Sequence, residues 1–161
     1  MAFAEHHPTY LVIGLDRRAD RLAEGCRLAA LKKLPSIGFW HGDALLLSTH
    51  FAPQEVNEIW LNYPDPYPKR RHEKHRLMHP RYLWQYTYVL KPGGRLHLRT
   101  DSRDLYAYAL DQLHTQGWHI LLATPDLMPG EGPPPAHWET LFRQRKGGTI
   151  HYIEAVPPAL P

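Results

Sequence analysis

A carboxylate set between two prolines and followed at once by a dense run of cations is the pattern in this chain best suited to chemistry. The segment reads Asn62-Tyr63-Pro64-Asp65-Pro66-Tyr67-Pro68, and five Lys or Arg and two His then fall in the eight residues from Lys69 to Arg76. Each proline fixes its own φ and disfavours a helical conformation in the residue before it, which predicts an extended, stiff turn. Such a turn holds Asp65 in place, and the cations beside it suit a polyanionic ligand. Taken alone, the same residues also describe a proline-rich surface turn with a solvated basic run.

The elements that must position this turn follow from hydrophobic periodicity. Short apolar runs at Tyr10–Leu15, Ile37–Trp40 and Glu58–Leu61 read as strands, and Arg95–Thr100 alternates as a half-buried strand does. Arg17–Lys33 carries Leu22, Cys26, Ala29 and Ala30 at helical spacing. Pro80 suits the first turn of a helix whose apolar stripe is Tyr82, Leu83, Tyr86, Val89 and Leu90. Leu105, Tyr108, Ala109, Gln112 and Leu113 mark another helix. Trp118–Thr124 and Thr149–Val156 complete the strands, with a proline- and glycine-rich loop, Pro125–Pro135, between them. Strands alternating with helices predict an α/β fold, a mostly parallel, doubly wound sheet with helices on both faces. Ligands of such sheets sit beyond the carboxyl ends of the strands. Asp16, Asp43, Asp65 and Asp101 all stand at such ends, so the topology would bring them to one edge. Each also has a plainer reading: Asp16 or Asp101 could cap the following helix, and Asp43 could stabilise a turn.

Composition narrows the class. The 161 residues are 43% apolar and 11% aromatic, which fits one globular domain spanning 1–161. Net charge is only +3, yet the cations cluster at 69–76 and again at Arg143, Arg145 and Lys146, a distribution that suggests nucleic acid. Cys26 is the single cysteine, which excludes an intrachain disulfide and fits a reducing compartment. No apolar stretch approaches the roughly 20 residues that span a bilayer, and the start, MAFAEHHP, lacks the pattern of a signal peptide. A cytoplasmic protein without a membrane partner is expected. His72, His75 and His79 are spaced by three and four, but no Cys or carboxylate completes an obvious ligand set and Pro80 interrupts the alignment; no metal site is expected.

In order along the chain, Pro64-Asp65-Pro66-Tyr67, Lys69 and the basic cluster, Leu90-Lys91-Pro92-Gly93-Gly94, and Thr100-Asp101 resemble the motifs of the tRNA (guanine-N7)-methyltransferases, a class I S-adenosylmethionine-dependent family. The resemblance runs from about Tyr10 to Val156. Lys-Pro-Gly-Gly is common among methyltransferases, whereas the Pro-Asp-Pro turn, basic cluster and Thr-Asp in this order are specific. The resemblance implies a Rossmann-like sheet, S-adenosylmethionine as cofactor and tRNA as substrate, with the protein acting as a monomer or a homodimer. It implies that Asp16, where the family more often has Glu, meets the cofactor ribose and that Asp43 meets the adenine amino group. Asp65 matches the proposed catalytic acid, which also lies against the cofactor. Lys69, Arg71, His72, Lys74 and Arg76 match the tRNA-binding cluster, and Asp101 a substrate-contacting acid. Thr140 and Phe142 match a late Thr-x-aromatic-acid motif, in which Arg143 replaces the acid.

The family opens with a strand and a Gly-rich turn that cradles the methionine end of the cofactor. Here Gly14 is the first glycine, and nothing before Tyr10 matches that opening. The expectation is an N-terminally incomplete domain, lacking the strand between the Tyr10 and Glu58 strands. Such a chain would expose an apolar trench and unpaired backbone groups and would bind the cofactor weakly. A non-catalytic RNA-binding remnant of the family is the alternative function.

Overall fold

In the computed structural model, residues 2–128 and 148–159 are described. The expected alternation is present. Helix α1 (Ala2–His6) leads to strand β1 (Val12–Asp16), α2 (Ala19–Leu31) and β2 (Ile37–His41). A 3₁₀ turn at Ala44–Leu46 and the short α3 (Leu47–His50) precede β3 (Val56–Asn62). The basic cluster coils into a 3₁₀ helix, Arg70–His75, before α4 (Pro80–Val89), β4 (Leu90–Thr100) and α5 (Arg103–Thr115). Strands β5 (His119–Thr124) and β6 (His151–Val156) follow.

Local chemistry accounts for the helix starts. Pro80 occupies the first turn of α4, and the His79 ring accepts from the Arg81 N–H at 3.3 Å. Ser102, not Asp101, caps α5 by accepting from the Leu105 N–H at 3.2 Å. The predicted stripe of α4 is buried, as are Leu105, Ala109 and Leu113 of α5. The α4 stripe, Ala109 and Leu113 meet Leu61, Leu96, Leu98, Ile153 and Ala155 of the sheet in one core. Leu15 and Trp40 pack against the same core from β1 and β2. On β4 the Lys91-Pro92-Gly93-Gly94 segment interrupts the pairing with β3. Val56 pairs with Leu90 and Glu58 with Arg95, so the intervening β4 residues loop out; Gly93 takes a φ of +75° and Gly94 lies against the backbone of Asn57 and Lys91.

The sheet departs from the expected one in its last strand. The pairs β1–β2 and β3–β4 are parallel, as expected, whereas β6 runs antiparallel to both β4 and β5, which therefore share one direction. The helix that a parallel crossover requires precedes β2, β4 and β5, but the sequence between β5 and β6 opens with the proline-rich stretch. Among the described residues β1 pairs only with β2, while the second sheet has the order β3-β4-β6-β5. No pairing joins β1 to β3 among the described residues. Helix α1 bridges this region: Phe3 packs on Trp60 of β3 at 5.5 Å, and Glu5 pairs with Lys32 at the end of α2.

The Asp65 turn contradicts the expected extended backbone. Tyr63 and Tyr67 each precede a proline, yet their φ values are +51° and +44°, in the left-handed region that bulky residues avoid. Non-local bonds hold them there. The Tyr63 N–H donates to the Arg99 carbonyl at 2.8 Å, and the Tyr67 carbonyl accepts from the Arg76 guanidinium.

Candidate active site at the carboxyl edge of the strands

Each acidic residue emerges at a strand end because the strand stops there. Asp16 closes β1 and sits opposite His41 of β2; the Gly42 N–H donates to the Asp16 carbonyl at 3.1 Å. Asp43 therefore follows directly beside Asp16. One oxygen of each carboxylate is taken up locally: Asp43 stabilises its turn as foreseen, whereas Asp16 bonds within the turn before α2, whose N-cap is Arg18. The Arg18 N–H donates to Asp16 at 2.9 Å, and the Leu45 N–H donates to Asp43 at 3.0 Å. The other oxygen is held loosely, by Arg21 at 3.6 Å for Asp16 and by Arg17 at 3.8 Å for Asp43. Both carboxylates are partly exposed and the arginines largely so, so these long contacts contribute little stability. A ligand with hydroxyl or amino donors can replace them.

Asp65 reaches the same edge from β3. It is exposed and makes no ion pair among the described residues. Its field is felt at Arg18, whose guanidinium is held above its ordinary value first by Asp20 and to a lesser degree by Asp16 and Asp65. Tyr82 of α4 links the other members: burial raises its hydroxyl, with further upward contributions from Asp43 and Tyr67. Asp16 and Asp43 thus stand side by side at the ends of β1 and β2, and Asp65 lies near enough for its charge to act on Arg18 beside them. Asp101 follows β4, the strand paired to β3 through Asn62 and Arg99, and is exposed at the neighbouring position. The carboxyl ends of parallel strands are where open α/β sheets hold ligands.

The cations divide into two groups. Lys69, Arg71 and Lys74 are exposed, and His72 is partly so; none makes an ion pair among the described residues. Arg76 is different. Its Nε and one terminal nitrogen donate to the Tyr67 carbonyl at 3.2 and 3.1 Å, and its guanidinium lies 4.4 Å from the centre of the Tyr108 ring. Arg76 is thus engaged within the protein, on the turn that bears Asp65. Thr140, Phe142 and Arg143 lie outside the described residues.

Sequence reasoning missed a buried polar layer on the opposite face of the sheet. His97 stacks on Trp60 with ring centres 3.8 Å apart and meets the Tyr152 hydroxyl at 2.9 Å through Nδ1. Burial, and then Arg95 and Arg99, lower the His97 imidazole to about 3. The contact of its Nε2 with Glu58 at 3.6 Å is therefore no ion pair near neutrality. Glu58 accepts instead from the Trp60 indole N–H at 2.9 Å, and the Tyr152 hydroxyl donates to Glu154 at 3.2 Å. The only sequence signal was the alternation of β4, whose polar positions suggested solvent. Among the described residues no group of three His, Cys, Asp or Glu is placed to hold a metal, and His79 serves as a helix cap.

Comparison with known proteins decides the family. A family model described as "Putative methyltransferase" matches residues 1–151. A tRNA (guanine-N(7)-)-methyltransferase of Lactococcus lactis subsp. cremoris is 34% identical over 152 residues, covering 92% of this chain and 70% of the relative. One from Limosilactobacillus fermentum is 36% identical over 161 residues, covering 96% of this chain and 73% of the relative. The chain belongs to the tRNA (guanine-N(7)-)-methyltransferase family. Its fold is that of class I S-adenosylmethionine-dependent methyltransferases. The antibiotic-resistance methyltransferase Kmr superposes with a TM-score of 0.65 at 17% identity, covering 99% of this chain and 81% of that one. A 16S rRNA (adenine(1408)-N(1))-methyltransferase from Catenulisporales acidiphilia, solved with its cosubstrate, gives 0.64 at 17% identity, over 99% and 78%.

Proposed function

We propose that the chain methylates N7 of a guanine in tRNA, with S-adenosylmethionine as the methyl source and a guanine of the variable loop as the target. One observation supports the reading: Asp65, in a turn held by backbone bonds at both ends and without an ion pair among the described residues, follows β3 and leads directly into a cationic 3₁₀ helix suited to RNA. No helix among the described residues is long and apolar enough to cross a membrane, and the reaction is assigned to the cytoplasm, where tRNA is found.

Bound S-adenosylmethionine supplies a methyl group on a positively charged sulfur. Asp16 would accept from the ribose hydroxyls and Asp43 from the adenine amino group, each through the oxygen now turned to Arg21 or Arg17. Guanine N7 has an in-plane lone pair and no proton, so methylation there needs no general base. Positioning supplies most of what is required. Asp65 would lie near the guanine and offset the positive charge its imidazole ring acquires, a fixed charge aimed at developing charge. Lys69, Arg71, His72 and Lys74 would hold phosphates, fixing the RNA without reading its sequence. Asp101 would contact the substrate from the end of β4, and the late segment with Thr140, Phe142 and Arg143 is assigned to substrate on its motif.

The test is single-turnover methylation of tRNA, with the product nucleoside identified by mass spectrometry. The expected product is 7-methylguanosine. Asp65→Asn keeps the shape and removes the charge, and should slow the step by ~10-fold or more, about 1.4 kcal/mol in the barrier. An unchanged rate at saturating tRNA and cofactor makes Asp65 a turn residue. Tight tRNA binding with no methyl transfer under any condition supports an RNA-binding protein instead.

A further inference from the structure

We propose that Arg76 is a positioning residue that latches the Asp65 turn onto α5, and not a contact to RNA phosphate. This rests on the catalytic reading of Asp65. Arg76 belongs by sequence to the basic cluster, but its surroundings set it apart from Lys69, Arg71 and Lys74. It is partly buried where those three are exposed. Two of its N–H groups converge on the Tyr67 carbonyl at 3.2 and 3.1 Å, a fork that lysine cannot reproduce. Its planar face rests on Tyr108, 4.4 Å from the ring centre. The Tyr108 hydroxyl is turned toward Glu73 of the 3₁₀ helix without forming a hydrogen bond of good geometry; burial and then the Glu73 charge push it up to about 12.

The bonds explain an otherwise costly backbone. Tyr67 has a φ of +44° although it is bulky and precedes Pro68. Such a conformation persists only where surrounding contacts over-determine it. Arg76 supplies one such contact at the distal end of the turn, while the Tyr63 N–H bond to Arg99 supplies another at the proximal end. Asp65 lies between the two. Tyr108 stands on the helix that Ser102 caps immediately after Asp101. Through Tyr108, Arg76 therefore ties the loop after β3 to the helix after β4 and holds Asp65 and Asp101 in a fixed relation.

The experiment compares Arg76→Ala, Arg76→Lys and Tyr108→Leu with the parent chain by hydrogen exchange, resolving the amides of Tyr63 and His72, which are bonded to the carbonyls of Arg99 and Lys69. Losing a hydrogen bond to a charged group should speed their exchange by ~10-fold or more in both Arg76 variants. Tyr108→Leu should move them in the same direction by less. In methylation assays the Arg76 variants should lose kcat by a similar factor while the Kd for tRNA and its salt dependence stay within about twofold, since no phosphate contact is removed. Failure of lysine to rescue is part of the expectation. The proposal is overturned if Arg76→Lys behaves as the parent and Arg76→Ala lowers the salt slope by about one. It is also overturned if exchange is unchanged in all three variants. The exchange measurement needs no enzymatic activity, so a chain that fails to methylate tRNA refutes the catalytic reading while leaving the latch decided on its own. The two milder variants serve if Arg76→Ala does not fold.

Discussion

Replacing Lys69, Arg71 and Lys74 together with Ala tests where tRNA is held. All three are exposed and make no ion pair among the described residues, so each can release one condensed counterion from RNA. Arg76 is bound to Tyr67 and Tyr108 and should release none. Each neutralised phosphate contributes about 0.7–0.9 to the slope of log K against log salt, so the triple substitution should flatten the slope by roughly 2–3. Over a fourfold rise in salt, the parent should lose about 20–40-fold more affinity than the variant from these contacts alone. Filter binding of tRNA at 50 mM and 200 mM salt, the range in which such slopes are ordinarily read, measures both quantities. Lys33→Ala, at the far end of α2, is the control and should match the parent. An unchanged slope in the triple variant would refute the assignment and place the RNA surface elsewhere, with the Arg143–Lys146 cluster next to be tested.

Two predictions concern the scaffold. His97 is held neutral in the fold by burial and by Arg95 and Arg99, with Glu58, Tyr152 and Glu154 as its other neighbours; its folded value of about 3 lies below the unfolded one. The unfolded chain therefore binds the proton first, and stability is full above about pH 6.5 and falls as pH drops toward 3. Between pH 7 and 5 the parent should lose about 2 kcal/mol more than His97→Gln in urea titrations, and equal losses would show that His97 is protonated in the fold. Gly94→Ala should destabilise by about 1–3 kcal/mol, because a Cβ there would stand 2.9 Å from the Lys91 carbonyl and 3.0 Å from that of Asn57, both backbone atoms that cannot turn away; an unchanged melting temperature would show that the Lys-Pro-Gly-Gly segment yields.

The elements were legible because each stands on a local pattern. The stripe Tyr82, Leu83, Tyr86 and Val89 and the β4 pair Leu96 and Leu98 point to one core, and they meet there. The edge positions of Asp16, Asp43 and Asp65 followed from where apolar runs stop. What was not legible depends on neighbours distant in sequence. The stack of His97 on Trp60 requires the β3–β4 register, which sets those two residues opposite each other. Arg76 could not be told from Lys74 because both lie in one basic run, and only the approach of Tyr108 from α5 separates them. The antiparallel β6 was missed by extending the alternation of the earlier strands past the point where a helical pattern ceases.

The turn around Asp65 shows how local and distant terms compete. The prolines argue for an extended chain at Tyr63 and Tyr67, and both residues are instead left-handed. A conformation of this kind costs of order 1–3 kcal/mol each. A hydrogen bond to a charged donor contributes about 1.5–3 kcal/mol and a neutral one about 1, so the Arg76 and Arg99 bonds are of the size needed to offset the strain. Neither end of the turn would hold its shape without its distant partner. Asp65 is thus fixed by β4 through Tyr63 and by the 3₁₀ helix through Tyr67, and the three prolines narrow what remains between them. A residue that served only to reverse the chain would need none of this, whereas a carboxylate that must meet a developing charge needs its position settled before the substrate arrives.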